Sequence, residues 1–361
     1  GFWHRPPGIC RRRRKEMDLE IAESERKDTT DFIEKMIGEI QVAAAGGNAK
    51  EVSRCVKVLS GKSSNFSTTR PTACHCCKTP LDGDEAAVNY IAGFAEDKFM
   101  PTAAERERGP LPVLPARPSD VPTYEELELC LASMKRSKAA GWDDMPIEYF
   151  KDSETLKREI FELVQQMWET EEIPEEIVRG VFVPIYKNKG DKDDPGKYRF
   201  ICLLTHSYKL LSTLLLHRLQ AEVEDFLPDS QAGFRAQRGT VDQIFILSEL
   251  MDSVFETGAK AGVGFIDYTA AFDSVSHHFL DQAMGEANAS PKCRTIFRRI
   301  YEQASAVVRL KSADGEEHLS APFDVSRGVV QGDIFSPLCF ILALQSIFAT
   351  VDSQAAGYVI P

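Results

Sequence analysis

Apolar positions along this chain recur with two different periods. From residue 123 the spacing is helical: Leu127, Cys130, Leu131 and Met134 share one face behind Thr123-Tyr-Glu-Glu126, which has capping-box spacing. A second helix, capped by Asp152 or Ser153, carries the stripe Leu156, Ile160, Leu163, Val164, Met167 and Trp168. Longer helices are predicted from about Tyr208 to Phe226, closed by Pro228, and from about Val241 to Phe255, closed by Gly258. VFVPIY (181–186) reads as a strand, broken by the turn-rich KNKGDKDDPG. In GVGFIDYTAAFDSVS (262–276) the apolar run Val263 to Ile266 has the pattern of a buried strand ending on Asp267. Further helices are predicted from about His277 and near Cys293 to Gln303. ASAVVRLKSADGEEHLSAPFDVS reads as a hairpin turning at Asp314-Gly315, and RGVVQGDIFSPLCFILALQSIFA as a Gly-rich loop entering an apolar helix. This irregular alternation favours an α+β fold over a doubly wound parallel sheet.

Residues 1–117 read as a mostly helical or irregular N-terminal extension. Phe32, Met36, Ile37 and Ile40 share a helical face, and a short helix is expected around EAAVNYIAGFAEDKF. Five prolines between residues 101 and 118 suggest an extended linker.

Composition adds limits. The chain has 361 residues, 43% hydrophobic and 27% charged, in the range of a globular protein large enough for more than one domain. No apolar run reaches the roughly 18 residues a membrane span requires, and the arginine-rich start lacks the apolar core of a secretory signal. Nine scattered cysteines suit a reducing compartment, so an intracellular protein, nuclear or cytoplasmic, is expected. The net charge of −12 gives no support for nucleic-acid binding, but phosphate is met by local patches. Residues 101–180 hold 18 acidic and 10 basic side chains, whereas 181–240 hold 7 acidic and 9 basic.

A carboxylate at a strand end is costly to bury unless paired or metal-bound, so Asp267 is a candidate hard ligand for Mg²⁺. The plainer reading is that it caps the following helix.

Five segments follow one another in the chain: KAAGWDDMPIEYFK, FVPIYKNKGDKDDPGKYRFICLLTHSYKLLSTLLLHRL, PDSQAGFRAQRGTVDQIFIL, FIDYTAAFDSVSH and RGVVQGDIFSPLCFILAL. Taken together and collinearly, from about Ser119 onward, they resemble the reverse transcriptase domain of non-LTR, LINE-type retrotransposons. The resemblance implies a right-hand polymerase, with fingers-like residues 118–258 and an incomplete palm at 259–361. It implies RNA template, DNA primer and dNTP as partners, and Mg²⁺ as cofactor. Asp267 falls on the first metal-binding aspartate, with the Tyr268 backbone carbonyl as a further ligand. Phe272 falls where a ring crowds the sugar 2′ position, although a core Phe is an equal reading. Asp273 reads as structural. Gln331 and Gly332 match the pair lining the nucleotide pocket, and Lys197 and Arg199 match residues that clamp the triphosphate. Arg235 and Arg238 sit in a loop where template contact is expected. The bland readings are a solvated surface pair for Lys197 and Arg199, and surface solubility for Arg235 and Arg238.

The sequence also departs from the family pattern. Phe200 and Cys202 replace a Pro–Ser pair, Val330 replaces a basic residue, and Gly141-Trp-Asp-Asp144 lacks a proline and a turn glycine. No Tyr-x-Asp-Asp occurs in the 361 residues. Two-metal chemistry needs carboxylates from both palm motifs, so weak metal binding and no polymerisation are expected of this polypeptide. Two alternatives follow: a non-catalytic nucleic-acid-binding remnant, or a degenerate product whose exposed apolar helix 335–350 drives aggregation.

Cys74-His-Cys-Cys77 is spaced too tightly for four ligands in one tetrahedral zinc site, and no second Cys pair follows at finger distance. It reads as thiols in a polar linker. Arg11 to Arg14 reads as a solvated end, with nuclear import or RNA contact as the alternative.

Overall fold

The computed structural model describes residues 70–108, 111, 114, 121–258, 260–312 and 316–352. All of these fall within one unit, Phe66–Pro361. The expected helical face at Phe32 to Ile40, the Arg11–Arg14 run and the Asp314-Gly315 turn lie outside the described residues.

The first helix, α1 (Gly83–Phe99), buries Ala87, Val88, Ile91, Ala95 and Phe99. These side chains join the same apolar core as the later helices. Residues 83–99 are therefore part of the main core, not an appendage to it. Within the stretch read as an extended linker, Thr102 and Glu105 complete a capping box that starts a short helix, α2 (Ala103–Glu107). α3 (Tyr124–Ser133) begins at Thr123, whose hydroxyl accepts from Glu126 N. α4 (Ile147–Asp152) leads directly into α5 (Glu154–Thr170), for which Ser153 is the cap. α5 buries Ile160, Phe161, Val164, Met167 and Trp168; of the predicted stripe, Leu156 and Leu163 are only partly buried, and Phe161 is added.

After α6 (Glu175–Val178) comes β1 (Gly180–Tyr186), then a 3₁₀ turn (Pro195–Lys197) and β2 (Tyr198–Leu203). Helices α7 (His206–Val223), α8 (Thr240–Thr257), α9 (Ala271–Ser274), α10 (His277–Glu286) and α11 (Pro291–Glu302) follow. β3 (Ser305–Lys311), β4 (Glu317–Leu319), β5 (Phe323–Asp324) and α12 (Ser336–Asp352) complete the described part.

The sheet runs β2-β1-β3-β4, with β5 also on β3. β1 pairs antiparallel with β2 (Ile185 opposite Arg199) and parallel with β3 (Val181 opposite Val307). β3 and β4 form the predicted hairpin, with Lys311 opposite Glu317. A mixed sheet with helices packed on it is the expected α+β class. No helix among the described residues is long and apolar enough to cross a membrane.

Ion pairs tie helices to one another. Arg218 on α7 grips Glu126 on α3 through Nε and Nη2 at 2.7 Å each, and its guanidinium lies 4.6 Å from the centre of the buried Trp168 ring. Asp281 accepts from Arg294 and Arg298, which ties α10 to α11. The family departures are also packed in. Phe200 is buried against Phe182 and Phe94, and Cys202 sits where a Cβ on Gly180 would come within 2.4 Å of its sulfur. Val330 is buried, and the Trp142 indole donates to Glu176 O at 2.6 Å.

Two expectations are corrected. Val263 to Ile266 forms no strand: residues 260–268 have no regular structure, and Phe265 and Ile266 are 87% and 69% exposed. A strand exists only where a neighbour takes its hydrogen bonds, and no described strand pairs with this run. Nor is the apolar helix at 335–350 an exposed one. Leu338, Cys339, Phe340, Ile341, Leu342 and Ala343 are buried, with α12 packed on α10. α8 forms as predicted and ends at Gly258 (φ +65°), but none of its residues is buried.

Candidate functional site

The Gly-rich segment Arg327–Asp333 threads between the α9 turn and β2. At its start Gly328 adopts φ +78°, donates to Val275 O at 2.8 Å, and lies where a Cβ would meet the Asp273 backbone at 2.8 Å. Val329 N donates to Phe272 O at 2.7 Å. At the other end Cys202 N donates to Gln331 O at 2.7 Å. The segment thus joins the turn carrying Phe272 to the strand carrying Arg199.

Asp333 locks the far end of this bridge. Its carboxylate is buried and accepts from Ser212 Oγ, Tyr208 OH (3.1 Å), Ser336 Oγ (3.2 Å) and Phe335 N (3.3 Å). Burial raises its pKa despite those donors. His277 Nε2 lies 2.8 Å from Gly328 O, and burial pushes its pKa down to about 4, which leaves the ring neutral and able to donate this bond.

The predicted residues separate into groups. Phe272 is half-buried, stacked on Phe340 (4.6 Å, 19°) and edge-on to Phe234 (5.8 Å, 76°). Gln331 lies against β2 through its carbonyl, and Gly332 passes close to the Cys202 carbonyl of the same strand. Arg199 points outward from β2 and is exposed. Lys197 closes the preceding 3₁₀ turn, with its alkyl chain over Gly190 and its ammonium 3.6 Å from Asp194.

Two cations outside the predicted set share this neighbourhood. Lys187, just after β1, donates through Nζ to Gly196 O at 3.0 Å. Its pKa is lowered first by burial and then by Lys98, Arg199 and Lys197, so these four cations lie close together. Lys98, at the C-terminus of α1, pairs with Asp273 at 2.5 Å and lies 5.5 Å from the Phe200 ring centre. Asp273 is thus structural, as expected, and is the acid facing the cluster. Lys98 falls in the segment read as an extension, whereas Lys187 and Asp333 lie inside the quoted motifs. Basic residues bracketing the KNKGDKDDPG turn were the available signal for Lys187.

Cations backed by a glycine-rich ridge, with two of them solvent-facing, suit a polyphosphate.

Asp267 and Tyr268 stand apart from this arrangement. Both are exposed on the irregular segment 260–268. Among the described residues no set of three or more His, Cys, Asp or Glu ligands gathers at Asp267, and Asp273 is engaged by Lys98. Among the described residues, the side chains around Asp267 therefore do not complete a carboxylate set for a divalent metal.

Arg235 and Arg238 are engaged within their own loop. The Arg235 side chain, only 6% exposed, contacts Glu224 and donates to Pro228 O at 2.8 Å. Arg238 holds Asp229 through its carboxylate (2.6 Å) and its carbonyl (2.8 Å).

Residues 186–360 match the family model described as reverse transcriptase (RNA-dependent DNA polymerase). Over 292 residues, 78% of this chain, the sequence is 25% identical to the transposon TX1 uncharacterized 149 kDa protein of Xenopus laevis. Over the same length it is 27% identical to the RNA-directed DNA polymerase from mobile element jockey of Drosophila funebris. Over 164 residues, 45% of the chain, it is 26% identical to the retrovirus-related Pol polyprotein from type-1 retrotransposable element R2 of Popillia japonica. The matches cover 22%, 30% and 22% of those proteins, so the chain spans less than a third of each.

Proposed function

Since residues 186–360 are a reverse transcriptase domain of the non-LTR retrotransposon family, we propose that this chain forms the nucleotide-facing part of an RNA-directed DNA polymerase. Residues 118–258 act as fingers and 259–361 as part of the palm. Its partners are an RNA template, a DNA primer and a dNTP.

The observation carrying this reading is the Gly-rich bridge, which joins the Phe272 turn to the strand of Arg199 beside four clustered cations. Arg199 and Lys197 receive the triphosphate, with Lys187 and Lys98 adding positive potential behind them. Gly328 and Gly332 let the backbone pass close to β2 and the α9 turn, and the Gln331 amide faces the nucleotide. The Phe272 ring, held by Phe340, limits room at the sugar 2′ position.

The family works with divalent metal ions, and Mg²⁺ is the ion this reading assigns. Asp267 alone does not supply the carboxylate set that two-metal chemistry needs.

The test is equilibrium binding of a fluorescent dNTP to the intact chain with Mg²⁺ present. Arg199→Ala and Lys197→Ala should each weaken binding by roughly tenfold, the scale of one charge-assisted contact. Phe272→Ala should narrow the preference for dNTP over rNTP. Unchanged affinity in both cation variants would refute the assignment.

A further inference from the structure

Three sulfurs that the nucleotide-facing site does not use lie together. The Sγ atoms of Cys74, Cys76 and Cys77 all fall within 4.8 Å of one another, with Cys74 and Cys76 at 2.9 Å. None is in a disulfide.

They are held by a closed loop. Cys74 N donates to Thr79 O (2.8 Å), Lys78 N to Cys74 O (2.9 Å) and Leu81 N to Thr72 O (2.9 Å). Lys78 at φ +58° reverses the chain, and Ala73 bridges Pro80.

The loop is also docked rather than free. Asp193 Oδ1 accepts from Thr72 N (2.7 Å), Thr72 Oγ1 (3.2 Å) and Ala73 N (3.2 Å). Tyr90 OH accepts from His75 N at 2.9 Å. The His75 ring and the Lys78 ammonium both reach Asp191 Oδ2, at 3.1 and 3.0 Å. The His75 ring is thereby held on Asp191 and is not one of the gathered ligand atoms. Three thiols remain on one side, with Cys76 and Cys77 open to solvent.

Tight spacing excludes four protein ligands, but it does not exclude three. Zn–S bonds of about 2.3 Å at tetrahedral angles put sulfurs about 3.8 Å apart, within the span seen here once the Cys74–Cys76 contact opens by about 1 Å. Soft thiolates select Zn²⁺ and Cu⁺ over Mg²⁺. We propose that Cys74, Cys76 and Cys77 form a three-thiolate site for a thiophilic d¹⁰ cation, Zn²⁺ or Cu⁺, with one coordination position open to an external ligand. Three thiol protons leave as three metal–sulfur bonds form, with no change of oxidation state. Through Asp191 and Asp193 the bound ion stiffens the turn that precedes Lys197.

The test uses the full chain, stripped by a chelator and kept under a phosphine reductant. Zn²⁺ is titrated against a chromophoric chelator, Cu⁺ against a Cu⁺-specific one, and Co²⁺ reports thiolate charge-transfer bands. One equivalent of Zn²⁺ or Cu⁺ is expected. Affinity should fall at least tenfold in each of Cys74→Ser, Cys76→Ser and Cys77→Ser at unchanged Tm of the metal-free protein. The Cys10→Ser/Cys55→Ser double variant should bind as the parent does. Hydrogen exchange should slow at residues 72–80 and 187–197 on loading. No uptake of either ion, uptake that survives Cys76→Ser, or loss in the Cys10/Cys55 variant would overturn the proposal. So would a chain that takes up no metal under reductant and only loses two mass units, as a disulfide, without it.

Discussion

Gly332 passes so close to β2 that a side-chain carbon on it would stand 2.4 Å from the Cys202 carbonyl oxygen. Its φ of +121° is also one that other residues avoid. Contact and conformation act at the same position, so Gly332→Ala should destabilise the fold by about 2–4 kcal/mol. Gly262, with open space around it, is the control: Gly262→Ala should stay within about 0.5 kcal/mol. Urea unfolding of both variants checks this. Equal midpoints would mean that the Gly-rich bridge is not built as described.

Lys98 and Asp273 lie far apart in sequence yet form one mostly buried pair, with side chains 23% and 10% exposed. Removing one partner strands the other charge next to Phe200 and the Gly328 backbone. Lys98→Met and Asp273→Asn should each cost about 2–3 kcal/mol. The double variant should cost clearly less than their sum, with a coupling of about 1–3 kcal/mol. Additive losses would remove the pair as a link between α1 and the α9 turn.

Acid should weaken the fold through two histidines. Burial holds His206, and likewise His277, down at about 4 against 6.5 when unfolded. Between those values the unfolded chain binds more protons than the native one, so stability rises with pH across that window. It is fully present above about 6.5 and declines as pH falls toward 4. Each ring should cost on the order of 1–2 kcal/mol by pH 5. His206→Gln should flatten its share of the slope between pH 7 and 5 in denaturant titrations. An unchanged slope would show that His206 already carries its proton in the folded state.

Much of this molecule could be read from local sequence, because local rules govern what was read. Thr123 and Ser153 start helices where capping chemistry places them, Gly258 ends one, and β3 and β4 pair about their turn. Failures arose where a distant partner decides. Val263 to Ile266 has a strand's composition, but composition does not supply a neighbouring strand. Lys98 joins the cation cluster only because α1 packs into the core beside β3. Asp333 sits inside a quoted motif, yet its role depends on Tyr208 and Ser212, more than a hundred residues earlier. Phe272 and Gln331 meet through the Gly-rich bridge, which leans on the Phe272 carbonyl at one end and on β2 at the other, a juxtaposition that no local pattern in either segment specifies.

Arginines that look alike in sequence should behave differently in binding. Arg235 is buried in its loop, in contact with Glu224 and donating to Pro228 O, whereas Arg199 faces solvent from β2. A side chain already holding carbonyls cannot neutralise phosphate without breaking the loop. Arg235→Ala should therefore lower stability by about 1.5–3 kcal/mol, the range for charge-assisted hydrogen bonds, and leave the salt dependence of single-stranded RNA binding unchanged. Arg199→Ala should barely change stability, within about 0.5 kcal/mol, but reduce the slope of log K against log salt by about 0.7, one released counterion contact. Fluorescence anisotropy across a salt series, paired with urea melts of the same proteins, measures both quantities. If Arg235→Ala reduced the slope while its urea midpoint stayed fixed, the loop arginine would be a template contact after all, and the division of roles between the two would be reversed.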